Sequence, residues 1–174
     1  MKLIKSNLVL AIDPGTTKSG VVLFDGENVL YTNAEMDNHD LVEALNTGCI
    51  DGCLWFDESV IEEIKSYGMP MGDTTIQTII WIGRFIEVWT PSEMNLIPRK
   101  TIVTFLCGSS RAKDSNVRRR ILDLFPQTGG GKEPAIGTKS QPGPLFGVKS
   151  HSLSALAVGL AYKYREEETA TLTG

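Results

Sequence analysis

The sequence has few of the features that mark secreted, membrane-spanning or disulfide-bonded proteins. Its three cysteines are too few and too poorly spaced for a disulfide framework or a zinc site. No apolar run reaches the roughly 18 residues that a membrane-spanning helix needs. The first apolar run ends at Asp13, too early for the core of a signal peptide. These absences predict a reduced, cytoplasmic protein with no membrane partner.

Strong net charge is also lacking, and the composition is that of an ordinary globular domain. The chain is 41% hydrophobic and 22% charged, with a net charge of -4, which excludes collagen-like and wholly disordered proteins. Residues 99–149, however, contain ten lysines and arginines against three acids. A basic face on an acidic body is typical of proteins that bind polyanions. The length predicts one domain over 1–165, followed by a flexible polar tail over 166–174.

Hydrophobic periodicity predicts strands in the first half and helices in the second. The predicted strands cover residues 8–12, 20–24, 29–32, 59–64 and 96–97. The predicted helices cover 39–46, 75–89, 100–106, 114–124 and 151–165. Asp73 or Thr74 is expected to cap the second helix. Residues 127–147, rich in glycine and proline, are expected to form a long loop.

Several polar residues lie where chemistry is possible, although each also has an ordinary structural explanation. Asp13 follows an apolar strand, so it could meet a ligand there or only bond the N–H of Gly15 or Thr16 in an Asx-turn. Glu62 and Glu63 alternate in an apolar strand, where an inward carboxylate needs a partner or a metal unless the strand is at an edge. His151 begins the last predicted helix, where a histidine is often a surface or capping residue.

Short motifs along the chain resemble one known family. Asp13 lies in Leu10-Ala-Ile-Asp-Pro-Gly-Thr-Thr-Lys-Ser-Gly20, Glu62 ends Val-Ile-Glu62, and His151 begins His151-Ser-Leu-Ser-Ala-Leu-Ala-Val158. Further phrases are Ser66-Tyr-Gly-Met69, Trp81-Ile-Gly-Arg-Phe85, Ala112-Lys-Asp-Ser-Asn-Val-Arg118 and Gly137-Thr-Lys-Ser-Gln-Pro-Gly-Pro144. In this order and at these separations, over residues 8–162, they resemble RuvC-type Holliday junction resolvases. The match is closer to the branch carried by phages, such as the lactococcal phage RuvC-like endonucleases.

The resemblance implies both a fold and a chemistry. The fold is ribonuclease-H-like, an α/β fold in which helices flank a five-stranded mixed sheet of three antiparallel strands followed by two parallel ones. The activity is that of an endodeoxyribonuclease that binds and cleaves four-way and other branched DNA as a homodimer, without a nucleotide cofactor. Asp13, Glu62 and His151 match the catalytic, metal-binding positions, which would hold two Mg2+ or Mn2+ ions. Glu63 matches no catalytic position.

One position departs from the pattern of the family. Cellular RuvC enzymes have a second carboxylate one helical turn after the first metal-site position of the last helix, and here that position is Ser154. Two acids, one histidine and a hydroxyl should bind Mg2+ more weakly than an all-acid site. A branched-DNA binding module with weak or absent cleavage is therefore an alternative to the nuclease.

Basic side chains around the predicted helix over 114–124 are expected to contact DNA phosphates. The alternative is a solvated helix face, which the single acid between Arg99 and Arg120 disfavours. The residues expected to bind DNA are Arg111, Lys113, Arg118, Arg119, Arg120, Lys139 and Lys149.

The segment after the Glu62 strand has two interpretations. Tyr67, Met69 and Met71 follow this strand in a region that approaches the junction centre in RuvC enzymes, so they could wedge between bases. They could equally pack on the core. The helix predicted over 75–89 is apolar on more than one face, which suits contact with a two-fold related copy.

Two other classes of protein share parts of this pattern. Residues 11–17 and the strand after them also resemble the phosphate loop of sugar kinases and related ATPases, but those enzymes need two such domains and a nucleotide cleft. A related nuclease of the same fold could instead act on flaps, forks or RNA hybrids.

Overall fold

The computed structural model describes the backbone of residues 8–173 and the side chains of 8–165. Its strands are β1 (Val9–Asp13), β2 (Lys18–Phe24), β3 (Val29–Asp37), β4 (Cys49–Ile50), β5 (Leu54–Trp55), β6 (Glu58–Glu63) and β7 (Asn95–Pro98). Its helices are α1 (Asn38–Thr47), α2 (Asp73–Val88), α3 (Arg99–Cys107), α4 (Asp114–Leu124) and α5 (Ser150–Thr173).

Five of the strands form one mixed sheet in the order β3-β2-β1-β6-β7. Strands β1, β2 and β3 form an antiparallel meander, β6 pairs parallel with β1, and β7 pairs parallel with β6. This arrangement confirms the predicted mixed sheet. Strands β4 and β5 form a separate two-stranded hairpin that the sequence did not predict, because its strands of two residues are too short for a periodic pattern.

The strand β1 separates two hydrophobic cores. Val9 and Ala11 face the layer that contains α3, α4 and α5, whereas Leu10 and Ile12 face the layer that contains α1 and α2. Because successive side chains of a strand point to opposite faces, both sets are buried, and β1 is apolar until its last residue. The fold is therefore a sheet between two helical layers, and the polar end of β1 lies at the edge of both.

Some predicted boundaries differ from the observed ones. Helix α2 begins at Asp73 with Gly72 in the N-cap position, so the expected cap at Asp73 or Thr74 was wrong. Gly72 takes the extended cap conformation without a side-chain hydrogen bond. Helix α5 continues to Thr173, whereas the side chains from 166 onward lie outside the described residues, so the flexible tail over 166–174 stays a prediction. Within residues 8–173, no helix is both long and apolar enough to cross a membrane.

Candidate active site

Two carboxylates lie at the same edge of the sheet. Asp13 is the last residue of β1, and Glu62 is the penultimate residue of the neighbouring strand β6. Ile12 pairs in register with Ile61 across these parallel strands, so Asp13 and Glu62, which follow them, are neighbours at the ends of the two strands. The side chains of Asp13 and Glu62 are only 16% and 17% exposed, and each carboxylate therefore has little water around it.

The turn after Asp13 is held by a buried polar network. The Gly15 N–H donates to Ser19 Oγ at 3.2 Å, Ser19 Oγ donates to Asn38 Oδ1 at 2.7 Å, and Asn38 Nδ2 donates to the Gly15 carbonyl at 3.0 Å. Ser19 and Asn38 are almost fully buried. Because Gly15 donates to Ser19, the Asx-turn considered for Asp13 does not form with Gly15. The Asp13 carboxylate is left to other partners.

His151 is one of those partners. It lies in the first turn of α5, and its Nδ1 is 2.9 Å from Asp13 Oδ2. Gly20 pairs with Asp13 across the β1–β2 ladder, and a Cβ at Gly20 would lie 2.2 Å from the carbonyl oxygen of His151. Only glycine therefore lets the start of α5 approach β2 closely enough for His151 to reach Asp13.

Arg99 is the partner of Glu62. It is the first residue of α3, directly after β7, and its Nη1 lies 3.4 Å from Glu62 Oε2. Its Nη2 lies 2.5 Å from Oδ1 of Asp114, the first residue of α4. The adjacent Glu63 lies in a different environment, 3.2 Å from Lys65 Nζ, so the alternation of β6 separates the two glutamates.

Burial raises the pKa of both site carboxyl groups above their usual values. For Asp13, lost hydration outweighs the hydrogen bond and the charge of His151, which lower its pKa. For Glu62, lost hydration outweighs the charge of Arg99, and the negative charge of Asp13 raises the pKa further. A divalent cation near these groups would stabilise both ionised forms.

The donor atoms suit a divalent metal, but they are not assembled as a finished cage. Mg2+ and Mn2+ bind carboxylate oxygens, and Mn2+ also accepts imidazole nitrogen. Among the described side chains, no three of the His, Cys, Asp and Glu type converge closely enough to hold an ion. The Asp13 carboxylate instead contacts His151, and the Glu62 carboxylate contacts Arg99. The site therefore fits a divalent metal by donor chemistry and burial, and the contact of Glu62 with Arg99 would have to rearrange for binding.

A cavity of about 340 Å³ lies beside this edge of the sheet. Ser154, one helical turn after His151, lies in its wall together with Arg99 and Asp114. Its complete lining is Arg99, Asp114, Ser115, Val117, Arg118, Ile121, Ser150, Leu153 and Ser154. The position that departs from the family pattern thus shares a cavity with the partner of Glu62.

The basic residues expected to bind DNA lie on α4 and on the loops beside it. Arg118 forms a bidentate pair with Glu133, with distances of 2.7 and 2.8 Å. Arg119 pairs with Asp123 one turn further along α4 at 3.2 Å. The remaining members of the set, Arg111, Lys113, Arg120, Lys139 and Lys149, are exposed. The single acid between Arg99 and Arg120 did not predict these pairs, because Asp123 and Glu133 lie beyond that interval.

The loop between β6 and α2 places two of its apolar side chains in solvent. Tyr67 is 65% exposed and Met69 is 70% exposed, whereas Met71 is partly buried. Tyr67 also has a φ of 49°, which is uncommon for a bulky residue. The alternative that this loop packs on the core is wrong for Tyr67 and Met69.

Four residues of this region were not assigned to the site from sequence: Gly20, Asn38, Arg99 and Asp114. The sequence around Arg99 could have indicated that this residue lies near the site. It directly follows Pro98 at the end of a predicted strand, and the carboxyl ends of parallel strands share an edge of the sheet. Asn38 and Asp114 had no such signal, because their contacts depend on how α1 and α4 pack.

Similarity to known proteins is found in structure and not in sequence. No protein-family model matches the chain, and no curated protein matches it. The structure of RuvC from Thermus thermophilus is similar, with a TM-score of 0.64 and 15% identity over 93% of this chain and 96% of that chain. The same organism's RuvC in complex with a Holliday junction substrate has a TM-score of 0.63 and 14% identity, with the same coverage of both chains. The protein therefore has a RuvC-like fold.

Proposed function

We propose that this protein is a metal-dependent, structure-selective endodeoxyribonuclease that cleaves four-way and other branched DNA junctions by phosphodiester hydrolysis. The observation that carries the proposal is the placement of two largely buried carboxylates, Asp13 and Glu62, at the ends of adjacent parallel strands in a RuvC-like fold. One similar RuvC structure contains a Holliday junction substrate, which supports branched DNA as the class of substrate.

Asp13, Glu62 and His151 are the residues that would hold Mg2+ or Mn2+, as two ions. Bound ions of this kind activate water at neutral pH and stabilise the leaving oxygen of an in-line displacement. In the neutral tautomer of His151 that donates Nδ1–H to Asp13 Oδ2, Nε2 has a free lone pair that can coordinate a metal or accept a proton. The side chain of His151 is 69% exposed, which leaves this nitrogen accessible to water and DNA.

A homodimer would present two such sites to a junction. Helix α2 exposes Ile76, Ile80 and Ile86, each by 40% or more, and such an apolar face suits contact with a second copy. The exposed Tyr67 and Met69, next to α2 in the chain, support a role as a wedge at the junction centre. The motifs over 112–118 and 137–144 support the phage branch, which would work in the cytoplasm of a bacterial host.

A second candidate is a binding module for branched DNA with weak or absent cleavage. The observation that favours it is Ser154, a hydroxyl at the position where a carboxylate is expected, in the wall of a cavity that Arg99 also lines but Asp13, Glu62 and His151 do not. The two candidates predict the same binding and differ only in hydrolysis.

A labelled four-way junction tests the proposal and separates the two candidates. The protein is incubated with the junction and with a linear duplex of the same sequence, each with Mg2+, with Mn2+ and with chelator. Metal-dependent nicks in the junction on a denaturing gel, absent from the duplex, are the expected result. A junction that shifts on a native gel but stays uncut with both metals would favour the binding module, and equal cleavage of the duplex would contradict structure selectivity.

A further inference from the structure

The guanidinium group of Arg99 lies beside Glu62, where a metal cation bound to this carboxylate would lie. The Arg99 side chain contacts two carboxylates at once, Glu62 through Nη1 and Asp114 through Nη2. The sequence separates Arg99 from Glu62 by 37 positions and from Asp114 by 15. The start of α3 thus lies between the carboxylate edge of the sheet and the start of α4.

The two acids that share Arg99 differ in their surroundings. Glu62 is 17% exposed, and Asp114 is 91% exposed. The ionised form of Glu62 therefore needs a nearby cation to stabilise it, whereas water already solvates the carboxylate of Asp114. The shorter contact of Arg99 is nevertheless with Asp114, at 2.5 Å against 3.4 Å. Asp114 consequently draws the guanidinium outward, away from Glu62.

We propose that Arg99 is a positioning residue that competes with a divalent metal for Glu62, and that Asp114, by holding the same guanidinium, sets how easily the metal displaces it. This inference rests on the proposed function and deepens it. Asp114 acts here chiefly through Arg99, because its exposed carboxylate makes its ion pair with Arg99 and its own charge raises the pKa of Glu62 less than the charge of Arg99 lowers it.

The competition gives two substitutions opposite effects on metal binding. In Arg99→Gln, Glu62 loses its competing cation, so the Mn2+ concentration for half-saturation should fall by about three- to tenfold. In Asp114→Asn, Arg99 is left to Glu62 alone, so the same concentration should rise by about two- to threefold. Combining both changes should bring the value close to that of Arg99→Gln, since Asp114 then keeps only its weaker direct charge effect on Glu62.

Binding is measured on the full chain without DNA, by the electron paramagnetic resonance signal of free Mn2+, so the readout does not depend on cleavage. Lys100→Gln removes the same charge from the neighbouring exposed position, and Asp123→Asn removes the same charge from the other end of α4. Both controls should keep the wild-type half-saturation. Arg99→Lys, which keeps the charge, should stay close to wild type. Asp114 is largely exposed, so its variant tests the proposal even if Arg99→Gln unfolds.

Each outcome of this set decides one point. Shifts of the same sign in the two single variants would overturn the proposal, and so would equal shifts in the controls. A loss from Asp114→Asn in the Arg99→Gln background as large as its loss in the wild type would also overturn it. Glu62→Gln separates the two levels of inference. If it weakens Mn2+ binding while Arg99→Gln and Asp114→Asn change nothing, only the role of Arg99 fails. If it leaves Mn2+ binding unchanged, the proposed metal site fails as well.

Discussion

The carboxylate edge, formed by Asp13 and Glu62, and the basic helix face, formed by Arg118, Arg119 and Arg120, differ in how water solvates their charges. The two carboxylates are less than one-fifth exposed, and burial raises the pKa of both. Arg118 and Arg119 are 41% and 80% exposed. Each of these two arginines also pairs with an acid of this chain.

Because of this difference, the carboxylate edge is suited to catalysis and the basic helix face to electrostatic attraction of DNA. Charges with little water around them interact strongly, and salt screens them weakly, so a single change at the carboxylate edge alters the site directly. Exposed pairs contribute little individually, and their effect on DNA binding comes from their number and is lost in salt. The carboxylate edge should therefore respond to one substitution, and the basic helix face only to several.

The largest effect is expected from isosteric neutralisation at the carboxylate edge. Asp13→Asn or Glu62→Gln removes a ligand charge, so junction cleavage should fall by more than about 100-fold. Junction binding should persist or tighten, because the repulsion between a carboxylate and DNA phosphate is relieved. Cleavage on denaturing gels and binding on native gels measure the two effects. Wild-type cleavage by either variant would show that the site is misplaced.

The next effect concerns the basic helix face. Replacing Arg118, Arg119 and Arg120 together by alanine should weaken junction binding and reduce the slope of log affinity against log salt, by about one unit for each lost phosphate contact. Arg120→Ala alone should reduce the slope more than Arg118→Ala, because Arg118 must first leave Glu133. Binding is titrated at several salt concentrations. An unchanged slope in the triple variant would mean a solvated surface only.

A smaller effect is expected at the departure from the family pattern. With Ser154 in place of a carboxylate, Mn2+ should support stronger cleavage than Mg2+ at equal concentration, because Mn2+ accepts imidazole nitrogen more readily. Ser154→Asp should lower the Mg2+ concentration for half-maximal cleavage by several-fold, since positions 151 and 154 share a helix face. A metal titration of both proteins on one junction measures this. An unchanged or higher Mg2+ requirement in the variant would mean that position 154 does not face the metal.

The smallest effect is one of stability. Because the pKa of Glu62 is raised in the folded state, its ionised form destabilises the metal-free fold, and stability falls as pH rises from the usual glutamate range through the raised pKa. Glu62→Gln removes this term, so its melting temperature should exceed that of wild type at pH 7, by about 2–4 °C for each kcal/mol relieved. The difference should shrink near pH 4. Calorimetry without metal tests it, and a lower melting temperature at pH 7 would mean that the contact with Arg99 outweighs burial.

The parts of the fold that follow a local rule were predictable. The apolar run before Asp13 predicted a strand with a carboxylate at its end, and β1 confirms the strand. The mixed sheet followed from the motifs. The placement of Arg99 against Glu62 did not, because the contact joins elements that are distant in sequence and depends on the packing of α3 against the sheet. The pair of Arg118 and Glu133 likewise depends on the path of the long loop.

Because glycine has no side chain, position 20 should respond to substitution in an unusual way. A methyl group there would overlap the backbone of His151, and relief of such crowding costs about 1–3 kcal/mol. The easiest relief moves the start of α5 away from β2, which separates His151 from Asp13 without unfolding the sheet. In a mutational scan, substitutions at position 20 would therefore reduce activity as substitutions of the site residues do, although Gly20 contributes no functional group. The loss of activity at this position would reflect the short distance that α5 must keep from β2.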